Sequence, residues 1–137
     1  MELNKAITAR ASLFDKKHQS AFRLFNGFLE GNPDIAIDLY AQTIVIHNYA
    51  AFPDTGKETI QEAKDFLLEE FSWIKAILLK TRKGKTPQEK NGILLYGEKA
   101  DNRIREHGVW YALDLRMNRD ASLYLDTRNL RKWAIEN

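Results

Sequence analysis

The chain has 137 residues, 44% of them hydrophobic and 29% charged, with a formal net charge of +2. This length and balance suit one ordinary domain that buries a core without disulfides or metals, and they argue against disorder or a fibrous repeat. Cysteine is absent, which removes disulfides, thiolate nucleophiles and cysteine-based zinc sites together.

No run approaches the ~18 apolar residues that span a bilayer, and Met1–Lys5 lacks the apolar stretch of a secretory signal. A cytoplasmic location without membrane contact is therefore expected. So small a net charge names no nucleic-acid partner by itself; the distribution of the charges has to do so.

Leu3, Ile7, Ala11 and Phe14 stand four, four and three residues apart, the apolar stripe of an amphipathic helix within residues 1–20. Ala21–Asn26 reads as a short extended piece, and Gly27, Gly31, Asn32 and Pro33 break the pattern around it. Ile35, Ile37 and Leu39 alternate with Ala36, Asp38 and Tyr40, as Ile44 and Ile46 do with Val45 and His47, predicting two strands paired across Ala41-Gln42. A two-residue turn favours Gly or Asn at positive φ, and neither is present, so a longer type I connection is expected.

Thr55 and Glu58 have capping-box spacing ahead of Ile60, Ala63, Phe66, Leu67 and Phe71, which share one helical face. Trp73–Lys80 and Gly92–Glu98 are β-compatible runs joined by Thr81–Asn91, whose composition is that of a loop. His107-Gly108 separates Arg103–Glu106 from the alternating run Val109–Leu115, a second hairpin. Leu130, Trp133 and Ala134 then open a C-terminal helix. The fold class is α+β: a leading helix over 1–20, a central β-β-α-β-β sheet domain over 21–102, and a hairpin linker with a terminal helix over 103–137.

Chemistry-bearing residues are sparse. Lys80, Arg82, Lys83, Lys85 and Lys90 face only Glu89 over eleven residues, a local positive segment able to contact RNA phosphates. The plain alternative is a loop kept soluble by its lysines. With no interleaved aromatic, such contacts would position RNA without reading its sequence. His18, His47 and His107 are scattered at no metal-ligand spacing, so no metal site is expected; His47, beside Asn48 and Tyr49, reads as a packed or hydrogen-bonded side chain rather than a base. Asp34, Asp38, Asp114 and Asp126 lie nearest apolar runs, but loop, solvent or capping roles suit them better than acid–base work, and no catalytic residue is assigned. Neither a Gly-x-Gly-x-x-Gly after a strand nor a Gly-rich Lys-Ser/Thr loop is present.

Two stretches carry a family likeness. The run Arg23-Leu-Phe-Asn-Gly27, then Glu30-Gly31, Pro33-Asp34, Ile37-Asp-Leu-Tyr40 and Thr43-Ile-Val45, is similar to the middle segment of large-subunit ribosomal RNA methyltransferases related to the 23S cytosine-5 enzymes. Gly108-Val-Trp-Tyr-Ala-Leu-Asp-Leu115 and Asp120-Ala-Ser-Leu-Tyr-Leu-Asp-Thr-Arg128, followed by Arg131, resemble that family's lead-in to its methyltransferase domain. Ala41 stands for the usual turn glycine, Ser122-Leu123 for a Gly-Phe pair and Thr127 for a glutamine.

The resemblance implies the accessory and linker part of a class I S-adenosylmethionine-dependent rRNA methyltransferase, with 103–137 as the hairpin linker and the start of the methyltransferase domain, cut before the rest of that Rossmann-like catalytic domain and inactive alone. It implies RNA and the enzyme's own downstream domain as partners, with the methyl donor bound by the full-length enzyme and not by this chain. Tyr124, Thr127 and Arg128 would lie near the donor, or Tyr124 and Leu125 would simply pack under the next sheet with Asp126 capping the helix. Without its catalytic partner the terminal helix is expected to fray or to pair with a second copy as a homodimer. The alternative is a self-contained protein-interaction or dimerisation module without RNA.

Overall fold

A computed structural model describes residues 3–27 and 31–116. The expected C-terminal helix at Leu130–Ala134 and the segment Tyr124–Arg128 lie outside them. The described chain is α+β. Helix α1 (Leu3–Ala9) leads into strand β1 (Ala21–Asn26), then β2 (Ile35–Tyr40), β3 (Thr43–Asn48), helix α2 (Lys57–Glu70), β4 (Ala76–Thr81), a short helix α3 (Pro87–Asn91) and β5 (Ile93–Tyr96). A hairpin, β6 (Arg103–Glu106) and β7 (Val109–Ala112), follows.

Strands β1 to β5 form one sheet in sequence order. All neighbours are antiparallel except β3 and β4, which run parallel because α2 carries the chain back across the sheet. The period-two alternation then sorts the side chains. Ile35, Ile37, Leu39, Ile44, Ile46 and Ile77 pack under α1 and α2 with Leu3, Ala6, Ile60, Ala63 and Leu67. Each such aliphatic side chain, fully buried, stabilises the fold by roughly 1.5–3 kcal/mol. On β1 the register shifts between Arg23 and Phe25, a bulge at Leu24 that keeps Phe22, Leu24 and Phe25 all in this core.

The opposite face carries Ala21, Tyr40, Val45 and Leu78, against which Ile104, Leu113 and Leu115 pack. The β6–β7 hairpin therefore covers one end of that face. Asp101 fastens it there: its carboxylate accepts from Gln42 N–H (2.9 Å) and the Thr43 hydroxyl (2.8 Å) and pairs with Lys75 Nζ at 2.9 Å. The Arg105 amide adds a bond to Gln19 O at 2.7 Å.

Four local expectations are corrected. The leading helix stops at Ala9, a 3₁₀ turn follows at Ala11–Leu13, and Ala11 is exposed while Ala6 is buried. Phe14 still reaches the core, edge-on to Phe22 with ring centroids 4.9 Å apart. The β2–β3 connection is the two-residue Ala41-Gln42 turn, Tyr40 pairing directly with Thr43 and Ala41 taking a φ of 57°. Thr55 caps nothing on α2, whose N-cap is Gly56; its hydroxyl bonds Phe52 O inside a 3₁₀ turn. Part of Thr81–Asn91 is helical rather than loop, because Thr86 accepts from Glu89 N–H, Pro87 starts α3, and the Glu89 carboxylate accepts from Lys85 N–H.

Candidate nucleic-acid interface

The sheet face that the hairpin leaves uncovered is built around a buried carboxylate. Arg23 lies opposite Asp38 in the β1–β2 register and points to the same face. Its Nε donates to Asp38 Oδ1 at 2.7 Å and its Nη2 to Oδ2 at 3.2 Å, a two-pronged pair. His47 Nε2 lies 2.9 Å from the same Oδ2. A carboxylate so held only accepts, so the shared proton belongs on His47 Nε2.

Burial alone would raise the Asp38 carboxyl. The hydrogen bonds from His47 and Arg23, with the charge of the guanidinium, outweigh it and hold the group below its ordinary value. Arg23 is desolvated as well, yet the Asp38 carboxylate raises its pKa, so the guanidinium stays charged. The solvent or capping role expected of Asp38 is corrected: it is 2% exposed and partnered by Arg23 and His47.

Tyr49 continues this polar row at the end of β3. Its ring stacks on His47 with planes 3° apart, the guanidinium of Arg82 sits 5.9 Å over it, and 36% of the residue is exposed. Burial of the rest, with Asp38 nearby, keeps its hydroxyl protonated well above neutrality, despite the opposing pull of Arg23. The stacking follows from the parallel register: Asn48 pairs with Thr81, and the Arg82 amide bonds Asn48 O at 3.0 Å, which brings Arg82 beside Tyr49. Tyr49 N–H in turn bonds Asp34 O at 2.7 Å.

The basic segment begins at that point. Arg82, Lys83, Lys85 and Lys90 are exposed, whereas Lys80 is corrected from a loop position to the interior of β4, opposite His47 and 4% exposed. The aromatic that sequence spacing did not supply is Tyr49, more than thirty residues earlier and brought alongside by strand pairing. Phe52, 73% exposed, lies three residues beyond it. Tyr49 with Arg82 and the lysines that follow it forms a cationic, aromatic end of the sheet able to hold phosphates and stack a base. His18 stacks on Trp73 with ring centroids 4.0 Å apart, and His107 sits in the hairpin turn at a φ of 52°. Among the described residues no three His, Asp or Glu side chains are gathered to hold a metal ion, and no helix is long and apolar enough to cross a membrane. Asp126, Tyr124, Thr127 and Arg128 fall outside those residues.

No family model matches the chain. YwbD of Bacillus subtilis, provisionally named a ribosomal RNA large subunit methyltransferase, is 33% identical over 134 residues, covering 96% of this chain and 33% of YwbD. Ribosomal RNA large subunit methyltransferase K/L of Colwellia psychrerythraea is 33% identical over 123 residues, covering 82% of this chain and 16% of that protein. Among solved structures, a provisionally assigned S-adenosylmethionine-dependent methyltransferase from Streptococcus mutans superposes with a TM-score of 0.78 at 21% identity, over 98% of this chain and 34% of that one. A methyltransferase solved with S-adenosylhomocysteine, also a provisional assignment, gives 0.79 at 20%, again over 98% and 34%. The chain thus spans about a third of the length of most relatives it matches. Its homologues carry the names of large-subunit rRNA methyltransferases, and its fold is that of one segment of S-adenosylmethionine-dependent methyltransferases.

Proposed function

We propose that this chain is the RNA-positioning accessory part of an S-adenosylmethionine-dependent methyltransferase acting on large-subunit rRNA, with catalysis carried out by a domain outside the aligned third. The observation that carries this reading is the alignment itself: 96% of the chain matches one third of YwbD, a protein named for rRNA methylation. The cationic, aromatic end of the sheet supports it, since Arg82, Lys83, Lys85 and Lys90 supply phosphate contacts beside the half-open ring of Tyr49.

We place the methyl donor outside the described residues. In an α/β nucleotide site the donor lies where a parallel strand turns through glycines into a helix. Here the connection from β3 to α2 holds a single glycine, Gly56 at the α2 N-cap, in place of a glycine-rich turn, and Asn48 Oδ1 beside it already accepts from Ala50 N–H. The donor is therefore assigned to the remainder of the enzyme, with Tyr124, Thr127 and Arg128 as the positions in this chain nearest to it by resemblance. The rival module without RNA gains nothing from relatives named for rRNA modification.

Titration of a labelled large-subunit rRNA fragment at several salt concentrations tests the proposal. The parent chain should bind with log affinity falling linearly in log salt, and Arg82→Ala/Lys83→Ala/Lys85→Ala should flatten that slope by about 2. A parent chain with no salt-dependent rRNA affinity would overturn the reading. Calorimetric titration with S-adenosylmethionine should give no heat of binding, and micromolar affinity would return the donor to this chain.

A further inference from the structure

We propose that the outer side of the β6–β7 hairpin, Trp110 flanked by Arg103 and Arg105, is a stacking site for an unpaired base of single-stranded RNA. This rests on the reading that RNA is the chain's ligand and adds the form of RNA and a second set of residues that take it. The hairpin register pairs Arg105 with Trp110 and Arg103 with Ala112. Strand alternation therefore sends Arg103, Arg105 and Trp110 to one side, while Ile104 and Glu106, 0% and 1% exposed, point to the other. Arg103 Cζ lies 4.1 Å and Arg105 Cζ 5.6 Å from the Trp110 ring centroid, and Trp110 is still 41% exposed.

The carboxylates of this element do not compete. Glu106 is turned inward, and Asp101 is spent on Gln42, Thr43 and Lys75. Within β6–β7 what faces outward is two guanidiniums around an aromatic plane; with the exposed Asp114 two residues past β7 the patch keeps a net positive charge, which disfavours a cationic partner and suits a polyanion whose bases can stack. A single indole on a two-stranded ribbon cannot enter the deep, narrow groove of paired RNA, whereas a splayed-out base can lie against it. The support is rigid, because the turn His107-Gly108 has φ of 52° and 81°, the twist-matched type for a two-residue hairpin, and Ile104 and Leu113 are packed on the sheet. The site is set apart from Tyr49 along the sheet: the hairpin packs near Ala41 and Val45, and Val45 to Tyr49 is about 13 Å of strand.

The test compares a labelled, unstructured 12-nucleotide RNA with a duplex RNA, using the 137-residue chain and its variants after circular dichroism confirms the fold. Trp110→Ala should weaken single-strand binding about tenfold and leave duplex binding unchanged, Trp110→Phe should lose less than about threefold, and Arg103→Ala/Arg105→Ala should lower the salt slope by about 1 to 2. If the parent binds and Trp110→Ala binds the single strand equally well, the stacking site is refuted while the wider RNA reading stands. A parent that binds no RNA refutes both. Should Trp110→Ala instead abolish self-association with RNA affinity unchanged, the patch is a contact between copies and the proposal fails.

Discussion

Asp38 Oδ2 stands 2.9 Å from His47 Nε2 across the β2–β3 ladder, while Asp38 Oδ1 takes Arg23 Nε at 2.7 Å. One buried carboxylate thus ties three strands together on the face that leads to Tyr49. Replacing it by Asn keeps the shape and removes the charge, leaving Arg23 without its counter-ion and His47 facing an amide. Asp38→Asn should cost about 3 kcal/mol, as breaking a buried pair does. Urea denaturation at pH 7 measures it, and a loss below about 1 kcal/mol would mean the network contributes little.

The same carboxylate makes stability depend on acid. Its folded pKa lies below the ordinary 3.8, so between the two values the unfolded chain binds the extra proton. Asp15 adds in the same direction, since bonds from Gln19 N–H and from the amide and hydroxyl of Ser20 outweigh its partial burial. The stabilisation is complete above about pH 5 and is lost as pH falls below 3.8 toward the folded values. Thermal midpoints between pH 2 and 5 should fall with acid, and Asp38→Asn should flatten the decline. Equal slopes for parent and variant would assign the acid sensitivity elsewhere.

The strand and helix order was legible because Ile35-Ala-Ile-Asp-Leu and the Ile60, Ala63, Leu67 spacing carry two different periods, each tied to a buried face. Local cues were weaker where two sites bore the same signal. Thr55–Glu58 and Thr86–Glu89 share the capping spacing, and only the second caps a helix, with Pro87 completing it. Ala41 hid a tight turn, because its positive φ costs roughly 1–2 kcal/mol and is tolerated where its methyl packs with Tyr40 and Ile104. The interface was least legible. Tyr49 meets Arg82 through a parallel crossover, and Arg23 meets Asp38 and His47 through three strands, contacts that no linear spacing reveals.

Gly97 follows β5 at a φ of 82°, and a Cβ built there would overlap Lys75 O and touch the Ala76 backbone. The obstacle is main chain rather than a movable side chain, so relief would require β5 to pull away from the start of β4. Gly97→Ala should destabilise by about 3 kcal/mol or more, combining left-handed strain with displaced pairing. Chemical denaturation checks it, and a cost within about 0.5 kcal/mol would show that the β4–β5 junction is not held as described.

Asp101 bears on both structure and ligand. Removing its carboxylate leaves the Gln42 amide, the Thr43 hydroxyl and Lys75 Nζ without that acceptor at the root of the hairpin. Asp101→Ala should cost about 2 kcal/mol locally, because the hairpin loses its anchor while the helix-covered core is untouched. Amide exchange is the measurement: Arg105 N–H, bonded to Gln19 O, should lose protection, and Ile46 in central β3 should keep it relative to the shifted global stability. Uniform loss at both would make Asp101 a global element instead of a local clasp.

Tyr49 and Arg82 form the remaining testable pair. If the ring serves as a stacking surface and the guanidinium as a phosphate contact, the two act on different parts of the RNA and leave different signatures. Tyr49→Ala should weaken rRNA binding about tenfold with the salt slope unchanged, since a neutral ring releases no counter-ions. Arg82→Ala should lower the slope by about 1. The double variant should fall short of the summed losses, because 5.9 Å between guanidinium and ring centroid gives the pair a mutual stabilisation that either single change already removes. Stability needs watching in parallel, because Tyr49 also stacks on His47 above the Asp38 network, and Tyr49→Phe keeps that plane while removing only the hydroxyl. Parent-like affinity in Tyr49→Phe, with loss in Tyr49→Ala at equal folded fraction, would identify the ring itself as the contact; parent-like affinity in both would remove Tyr49 from the interface.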